Sequence, residues 1–282
     1  MKRTVFCALL WCFTAVALLV RLWQVGYVMD DFGFYNAPQE SLCFWVNLVL
    51  WGGIVLLGFC SRFLLRDCPA RPPKKSIALG LGSLCVSFFC LPQVYMDCVT
   101  AQNSDAMMLA MIPSVVTALS FAVLAAYQIR GRKIPFGALI VPIVSELMRV
   151  IVAYTHFSGL SRMSENAVHI LFLVSFLSLC MSHLWMHFSG NRSKGIFGCY
   201  TFGAATALFG LMDTLPHWMM GNNQLPLSYV GFGAAIYALT LMGVHAFGNG
   251  QERNQQEVPA QEPATPLSLE EEADESVAPN EE

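Results

Sequence analysis

Charged side chains are scarce in most of this 282-residue sequence. Asp, Glu, Lys and Arg make up 12 % of it, and ten of the nineteen carboxylates lie after residue 250. A soluble domain usually carries about 25 % charged residues, whereas apolar residues here reach 55 %. The composition excludes ordinary soluble domains and indicates a membrane protein, with the lipid bilayer as its first partner and no nucleic-acid partner.

Several motifs of enzymes and metal sites are also missing. The sequence contains no GxSxG, no Walker A glycine loop, no DxxD pair and no CxxC. Most of the ten cysteines lie in apolar runs, where Cys acts as a small hydrophobic residue. Cys43 and Cys98 are expected near the outer surface, and a disulfide between them is left open. We predict no metal site and no cofactor, and whether the protein is an enzyme stays open.

The apolar residues fall into eight runs, each about as long as the roughly 20 residues that a membrane-spanning helix needs. They are residues 5–28, 42–61, 77–96, 106–128, 135–156, 167–188, 196–218 and 227–247. The connections are short, so we predict an all-α bundle of about eight transmembrane helices in four antiparallel hairpins. The first run lacks a small-residue cleavage site and is expected to be a retained helix rather than a signal peptide.

The distribution of cations predicts the orientation. Thirteen of the sixteen Lys and Arg residues fall on one face of the predicted topology. Loops rich in Lys and Arg stay in the cytoplasm, so we expect a multi-pass protein of the cell membrane with both termini cytoplasmic. Residues 1–248 form the predicted bundle.

The last segment, 249–282, differs from the rest in composition. It is rich in Glu, Gln and Pro and has no aromatic residue. Such a segment cannot bury enough apolar surface to fold. We predict a disordered acidic cytoplasmic tail, which serves either solubility or the binding of a cytoplasmic protein partner.

Five ionisable residues within the predicted spans are the candidate site, because such residues are costly in a bilayer and commonly functional. They are Arg21, Glu146, Arg149, Asp213 and His217. At about 1.5 Å per residue, all lie at or beyond the midplane toward the outside, and the inner half is expected to be nearly all apolar. Glu146 and Arg149 are three residues apart, so they share a helix face and can pair.

Two further spacings concern the sixth and seventh predicted helices. In the seventh, small and polar residues recur every three or four positions, which allows close helix packing: Cys199, Gly203, Thr206, Gly210, Asp213 and His217. In the sixth, His183 and His187 are one turn apart, a spacing that suits two metal ligands. No third ligand is evident, and Trp185 between them indicates an interfacial aromatic belt instead.

Two interpretations of the polar residues remain open. Buried ion pairs can fix helix register with little net stability, or the residues can line a polar cavity open to the outside. On the second hypothesis the protein binds, senses or transports a small solute or lipid headgroup. Arg21 and Arg149 then contact an anionic group, held in place by Glu146 and Asp213.

Two other functional classes are alternatives to binding or transport. A membrane-embedded enzyme would act on a lipid-linked substrate at the outer leaflet. Its acid and base would be Glu146, or Asp213 with His217, because carboxylate and imidazole groups serve in general acid–base catalysis. A scaffold would act through the acidic tail.

Overall fold

The computed structural model describes residues 2–29, 35–64, 75–101, 105–156, 163–188, 192–220 and 228–247. Its helices are α1 (Lys2–Trp23), continued by a π-helix (Gln24–Val28), α2 (Glu40–Leu64), α3 (Ile77–Ala101), α4 (Asp105–Arg130), α5 (Phe136–His156), α6 (Met163–Phe188), α7 (Arg192–Met220) and α8 (Tyr229–Phe247). A short 3-10 helix, Ala37–Gln39, precedes α2. The predicted all-α fold is confirmed for these residues. The predicted tail, 249–282, lies outside them.

Seven of the helices contain an apolar segment long enough to cross a membrane. These segments are Val5–Val28, Glu40–Ser61, Ile77–Cys98, Met111–Arg130, Phe136–Thr155, Asn166–Phe188 and Lys194–Met219. The apolar segment of α8, Tyr229–His245, is shorter. The helices that the apolar runs predict are therefore present, and seven of them have the length and composition of membrane spans.

Helix α7 is the central helix of the bundle. Its apolar segment is 83 % buried, against 17 % for that of α2, and it packs on α1, α2, α6 and α8. Helix α8 lies between α3 and α7. Close packing of α7 on α8 depends on glycine, because a Cβ at Gly210 would lie 2.4 Å from the carbonyl oxygen of Gly231. The predicted small-residue stripe of α7 is buried along its length.

The bundle has two ends, which we name by residues on α6 and α7. At the Asp213 end, the last turns of α7 contact the first turns of α6, through Asp213 and His169. At the His187 end, α7 begins beside the last turns of α6, where Gly195 lies against Met186. The Asp213 end corresponds to the predicted outer side, and the His187 end to the predicted cytoplasmic side.

The prediction that the half nearer the His187 end is nearly all apolar is wrong. The Ser83 hydroxyl donates to Gln128 Oε1 at 2.7 Å, and the hydroxyls of Ser61 and Thr201 are 2.9 Å apart. Each pair joins two helices. Single polar side chains within long apolar runs are easily overlooked, yet they pair across helices because an unpaired polar group in hydrocarbon is costly.

Candidate functional site

The pair of Asp213 and His169 is the first feature of the Asp213 end. His169 Nδ1 lies 2.9 Å from Asp213 Oδ2, and the two side chains are 21 % and 7 % exposed. The sequence hypothesis assigned Asp213 to His217 or to an arginine. The structure gives Asp213 a partner on α6 that the sequence did not predict, since the first turns of α6 pack beside the last turns of α7.

Arg21 and His217 complete a group of ionisable residues around this pair. His217 lies one turn after Asp213, is 4 % exposed, and is within electrostatic range of both Arg21 and Asp213. Arg21 is 1 % exposed although it carries a full charge. We call Arg21, His169, Asp213 and His217 the α1–α6–α7 cluster.

Neutral polar groups position Arg21. Its guanidinium donates to Gln24 Oε1 at 3.3 Å and to the Tyr35 hydroxyl at 3.4 Å. Asn47 on α2 links the two, since it accepts from Gln24 Nε2 at 3.0 Å and donates to Tyr35 Oη at 2.9 Å. Gln24 begins the π-helix, in which its carbonyl accepts the Met29 N–H at 2.9 Å. Short π-helical segments frequently occur at functional sites.

A second group of polar residues joins α4 and α5. Glu146 and Arg149 form the predicted pair, with Oε1 and a guanidinium nitrogen 3.3 Å apart and side chains 0 % and 8 % exposed. The Thr117 hydroxyl on α4 donates to Glu146 Oε1 at 3.0 Å and also contacts the Ser145 hydroxyl. Ser145 in turn donates to the Pro113 carbonyl at 2.9 Å, an acceptor on α4.

Asp97 belongs to the same region and is a residue that the sequence analysis missed. Its carboxylate accepts from Gln93 Nε2 at 2.9 Å and from the Ser114 hydroxyl at 2.8 Å, and it is within electrostatic range of Arg149. The apolar run ends at Met96, so Asp97 was assigned to a loop. The four-residue spacing of Gln93 and Asp97, typical of contacts on one helix face, was the available signal.

Gln93 also connects this region to α8. Its Oε1 accepts the backbone N–H of Tyr229 at 3.1 Å. The first N–H groups of a helix have no partner within the helix, so Gln93 satisfies one of them. Together with Asp97, Ser114, Thr117, Glu146 and Arg149, Gln93 forms what we call the α3–α4–α5 cluster.

The five predicted site residues are therefore divided between two clusters. Arg21, Asp213 and His217 belong to the first, and Glu146 and Arg149 to the second. Helix α1 packs mainly on α7 and α2, whereas α5 packs on α4 and α6. The hypothesis that Arg21 and Arg149 contact one ligand together gains no support from this arrangement.

The His187 end carries a further group of buried polar rings. His183 is 1 % exposed, its Nδ1 lies 2.6 Å from the Tyr237 hydroxyl, and its Nε2 lies 3.2 Å from His187 Nε2. His245, also buried, is within electrostatic range of His183. Among the described residues, no group of three or more His, Cys, Asp or Glu side chains is arranged so that it could hold a metal ion.

Comparison of the chain with protein-family models, curated proteins and solved structures gave no significant match. The chemistry of the clusters is therefore the basis for a function. A guanidinium binds carboxylate or phosphate oxygens, and an imidazole beside a carboxylate can donate a hydrogen bond or exchange a proton. The α1–α6–α7 cluster combines these groups.

Cys43 and Cys98, between which the sequence left a disulfide open, are free thiols in the structure. Cys43 is buried and Cys98 is exposed.

Proposed function

We propose that the protein binds a small anionic solute or an anionic lipid headgroup in the α1–α6–α7 cluster. The observation that carries the proposal is the exposure of this cluster. Arg21, Asp213 and His217 are buried, at 1 %, 6 % and 4 % exposed, whereas the His169 side chain is 21 % exposed. His169 is thus the residue of the cluster that a ligand can reach, and the three buried ionisable residues lie behind it. Ionisable groups held in apolar spans usually serve ligands or protons.

Each residue then has a distinct role. Arg21 supplies the charge for the anion, positioned by Gln24 and Tyr35. His169 and His217 supply N–H groups, and Asp213 orients His169 through the 2.9 Å contact. The roles are those of a site with one cation and several oriented hydrogen-bond donors.

In this proposal the α3–α4–α5 cluster is structural. Glu146 is 0 % exposed and compensates the charge of Arg149 directly. Such a buried pair fixes how helices pack more than it adds net stability. The proposal therefore assigns to Arg149 the fixing of α5 against its neighbours rather than contact with a ligand.

We also propose the finer topology of eight spans in four hairpins, with both termini cytoplasmic in the cell membrane. Every exposed Lys or Arg whose side chain the structure describes lies at the His187 end: Lys75, Arg130, Arg132, Lys133 and Lys194. Cations on that side favour a cytoplasmic location. The short apolar segment of α8 suits an eighth span, because α3 and α7 cover it and it need not match the bilayer thickness.

Ligand-dependent thermal unfolding of the purified protein tests the proposed site. Inorganic phosphate, glycerol 3-phosphate and small carboxylates are added in turn. A ligand at 100 times its Kd stabilises the folded state by about 2.7 kcal/mol. We expect one class of anion to raise the Tm of wild type, and Arg21→Gln and His217→Gln to remove that shift.

The matched control is Arg132→Gln, which removes an exposed cation at the other end of the bundle and should keep the shift. An equal shift in Arg21→Gln and wild type would refute the proposed site.

The enzyme alternative is favoured by the 2.9 Å contact of His169 and Asp213, since a carboxylate and an imidazole in contact suit acid–base catalysis. That alternative predicts that Asp213→Asn binds a lipid-linked substrate but does not turn it over.

A further inference from the structure

The two histidines at the His187 end face each other through the same ring nitrogen. His183 and His187 lie one turn apart on α6, and their Nε2 atoms are 3.2 Å apart. The ring centroids are 5.0 Å apart, and the ring planes meet at 65°. A straight N–H···N hydrogen bond of this length would place the centroids about 5.5 Å apart. The rings are therefore not collinear with the line that joins the two nitrogens.

The two separations are those that two imidazoles on one metal ion would have. Zn–N bonds are about 2.05 Å long in proteins. Two such bonds that span the observed 3.2 Å enclose an angle of about 100°, close to the tetrahedral value. With a ring radius of about 1.2 Å, the centroids would then lie about 5 Å apart, in agreement with the observed 5.0 Å. Both separations thus fit one shared ion.

The other nitrogen of His183 is held as in metal sites. A histidine ligand usually engages its second ring nitrogen in a hydrogen bond that fixes the tautomer and the ring orientation. Here the Tyr237 hydroxyl on α8 lies 2.6 Å from His183 Nδ1, and both side chains are 1 % exposed. Nδ1 of His183 donates to this hydroxyl when Nε2 is a ligand. Tyr237 is then the orienting partner.

Water can reach the pair. His187 is half-buried, so water can enter from the cytoplasmic side that we propose. Zn²⁺ is usually four-coordinate and accepts water beside imidazole ligands, so two waters would complete the coordination of an ion held by His183 and His187.

We infer that His183 and His187 form a binding site for a divalent transition-metal ion, with Tyr237 as a positioning residue. Imidazole ligands suit Zn²⁺, Cu²⁺ and Ni²⁺, and Zn²⁺ is the ion used to test the site. The site is separate from the α1–α6–α7 cluster and does not depend on its proposed function.

Zinc binding by the purified full chain tests the site. The protein carries a purification tag without histidine, is stripped with a chelator, and is dialysed against Zn²⁺ before elemental analysis. We expect one bound ion per chain in wild type and its loss in the double variant His183→Asn/His187→Asn. The matched control is His169→Asn, which removes a histidine from the other end of the same helix and should keep the ion.

Tyr237→Phe separates a role at the metal from a role in folding. It removes only a hydroxyl, and loss of such an orienting group typically weakens metal affinity 10–100-fold. We expect this weakening together with an unchanged Tm of the metal-free protein. Two results would overturn the site: no bound Zn²⁺ in wild type, or equal binding in the double variant. Either would leave His183 and His187 as an ordinary hydrogen-bonded pair. Unchanged affinity in Tyr237→Phe would overturn the positioning role of Tyr237.

Discussion

The contact of α7 with α8 predicts a large effect of one methyl group. A Cβ at Gly210 would lie 2.4 Å from the Gly231 carbonyl oxygen and 3.1 Å from its carbon, whereas ordinary contacts begin near 3.4 Å. The atoms in the way belong to the backbone, so no side-chain rotation relieves the overlap. In Gly210→Ala the two helices must separate by about 1 Å over this contact.

Two opposing terms set the magnitude. Overpacking of a tight core usually costs about 1–3 kcal/mol. Because the backbone of Gly231 cannot move aside as a side chain can, we expect Gly210→Ala to cost about 3 kcal/mol. Replacing Gly by Ala within a helix gains about 1 kcal/mol. Gly52→Ala is the matched control because a Cβ at Gly52 meets nothing within 4 Å. The gain in helix propensity is common to both variants. The difference between their free energies of unfolding is therefore the cost of the steric overlap at Gly210, about 3 kcal/mol.

Thermal unfolding in detergent, followed with a thiol-reactive dye, measures this difference. Cys90, Cys180 and Cys199 are buried and react when the bundle opens. For a protein of this size, about 1 kcal/mol corresponds to roughly 2–4 °C, so Gly210→Ala should melt about 6–12 °C below Gly52→Ala. Equal melting temperatures of the two variants would show that α7 and α8 are not in backbone contact.

The remaining predictions concern the buried ion pair and the orientation. Glu146→Gln leaves the Arg149 guanidinium without its carboxylate and should destabilise the bundle by about 3–5 kcal/mol. The double variant with Arg149→Met should recover much of this loss in the same assay, and an unrecovered loss would contradict a paired charge. In intact cells, a membrane-impermeant maleimide should label wild type but not Cys98→Ser. Lys194→Cys in that background should react only after permeabilisation, and labelling in intact cells would reverse the proposed orientation.

The sequence predicted the helices well because length and hydropathy are local properties. The fifth apolar run, 135–156, is α5 at Phe136–His156 almost residue for residue. Helix α3 extends to Ala101, five residues beyond the predicted end. A tertiary contact stabilises the extension, since Asp97 accepts a hydrogen bond from Ser114 on α4. A polar residue past an apolar run therefore looks like a loop when only the sequence is considered.

The site was predictable only where its contacts are local. Glu146 and Arg149 lie one turn apart, so their pairing follows from helix geometry. Asp213 and His169 are 44 residues apart, and their contact depends on how α6 packs against α7. No periodicity in one chain shows which helices are neighbours. The sequence therefore predicted Arg21, Asp213 and His217 of the α1–α6–α7 cluster, but it did not predict His169 as a partner of Asp213.

The packing between the two ends bears on whether the protein binds or transports. Successive ring centroids lie 5.2 to 6.2 Å apart along a line from one end to the other. The rings, in order, are those of His169, Phe172, Phe176, Phe121, Tyr237 and His183.

The four inner rings are at most 1 % exposed, and each ring contact adds about 0.5–1.5 kcal/mol to the burial of its surface. A solute moving between the ends along α6 would have to part several of these contacts at once. A protein that binds its ligands separately at the two ends keeps the rings together. This column of six rings therefore supports the proposed binding function over a transporter with a path along α6.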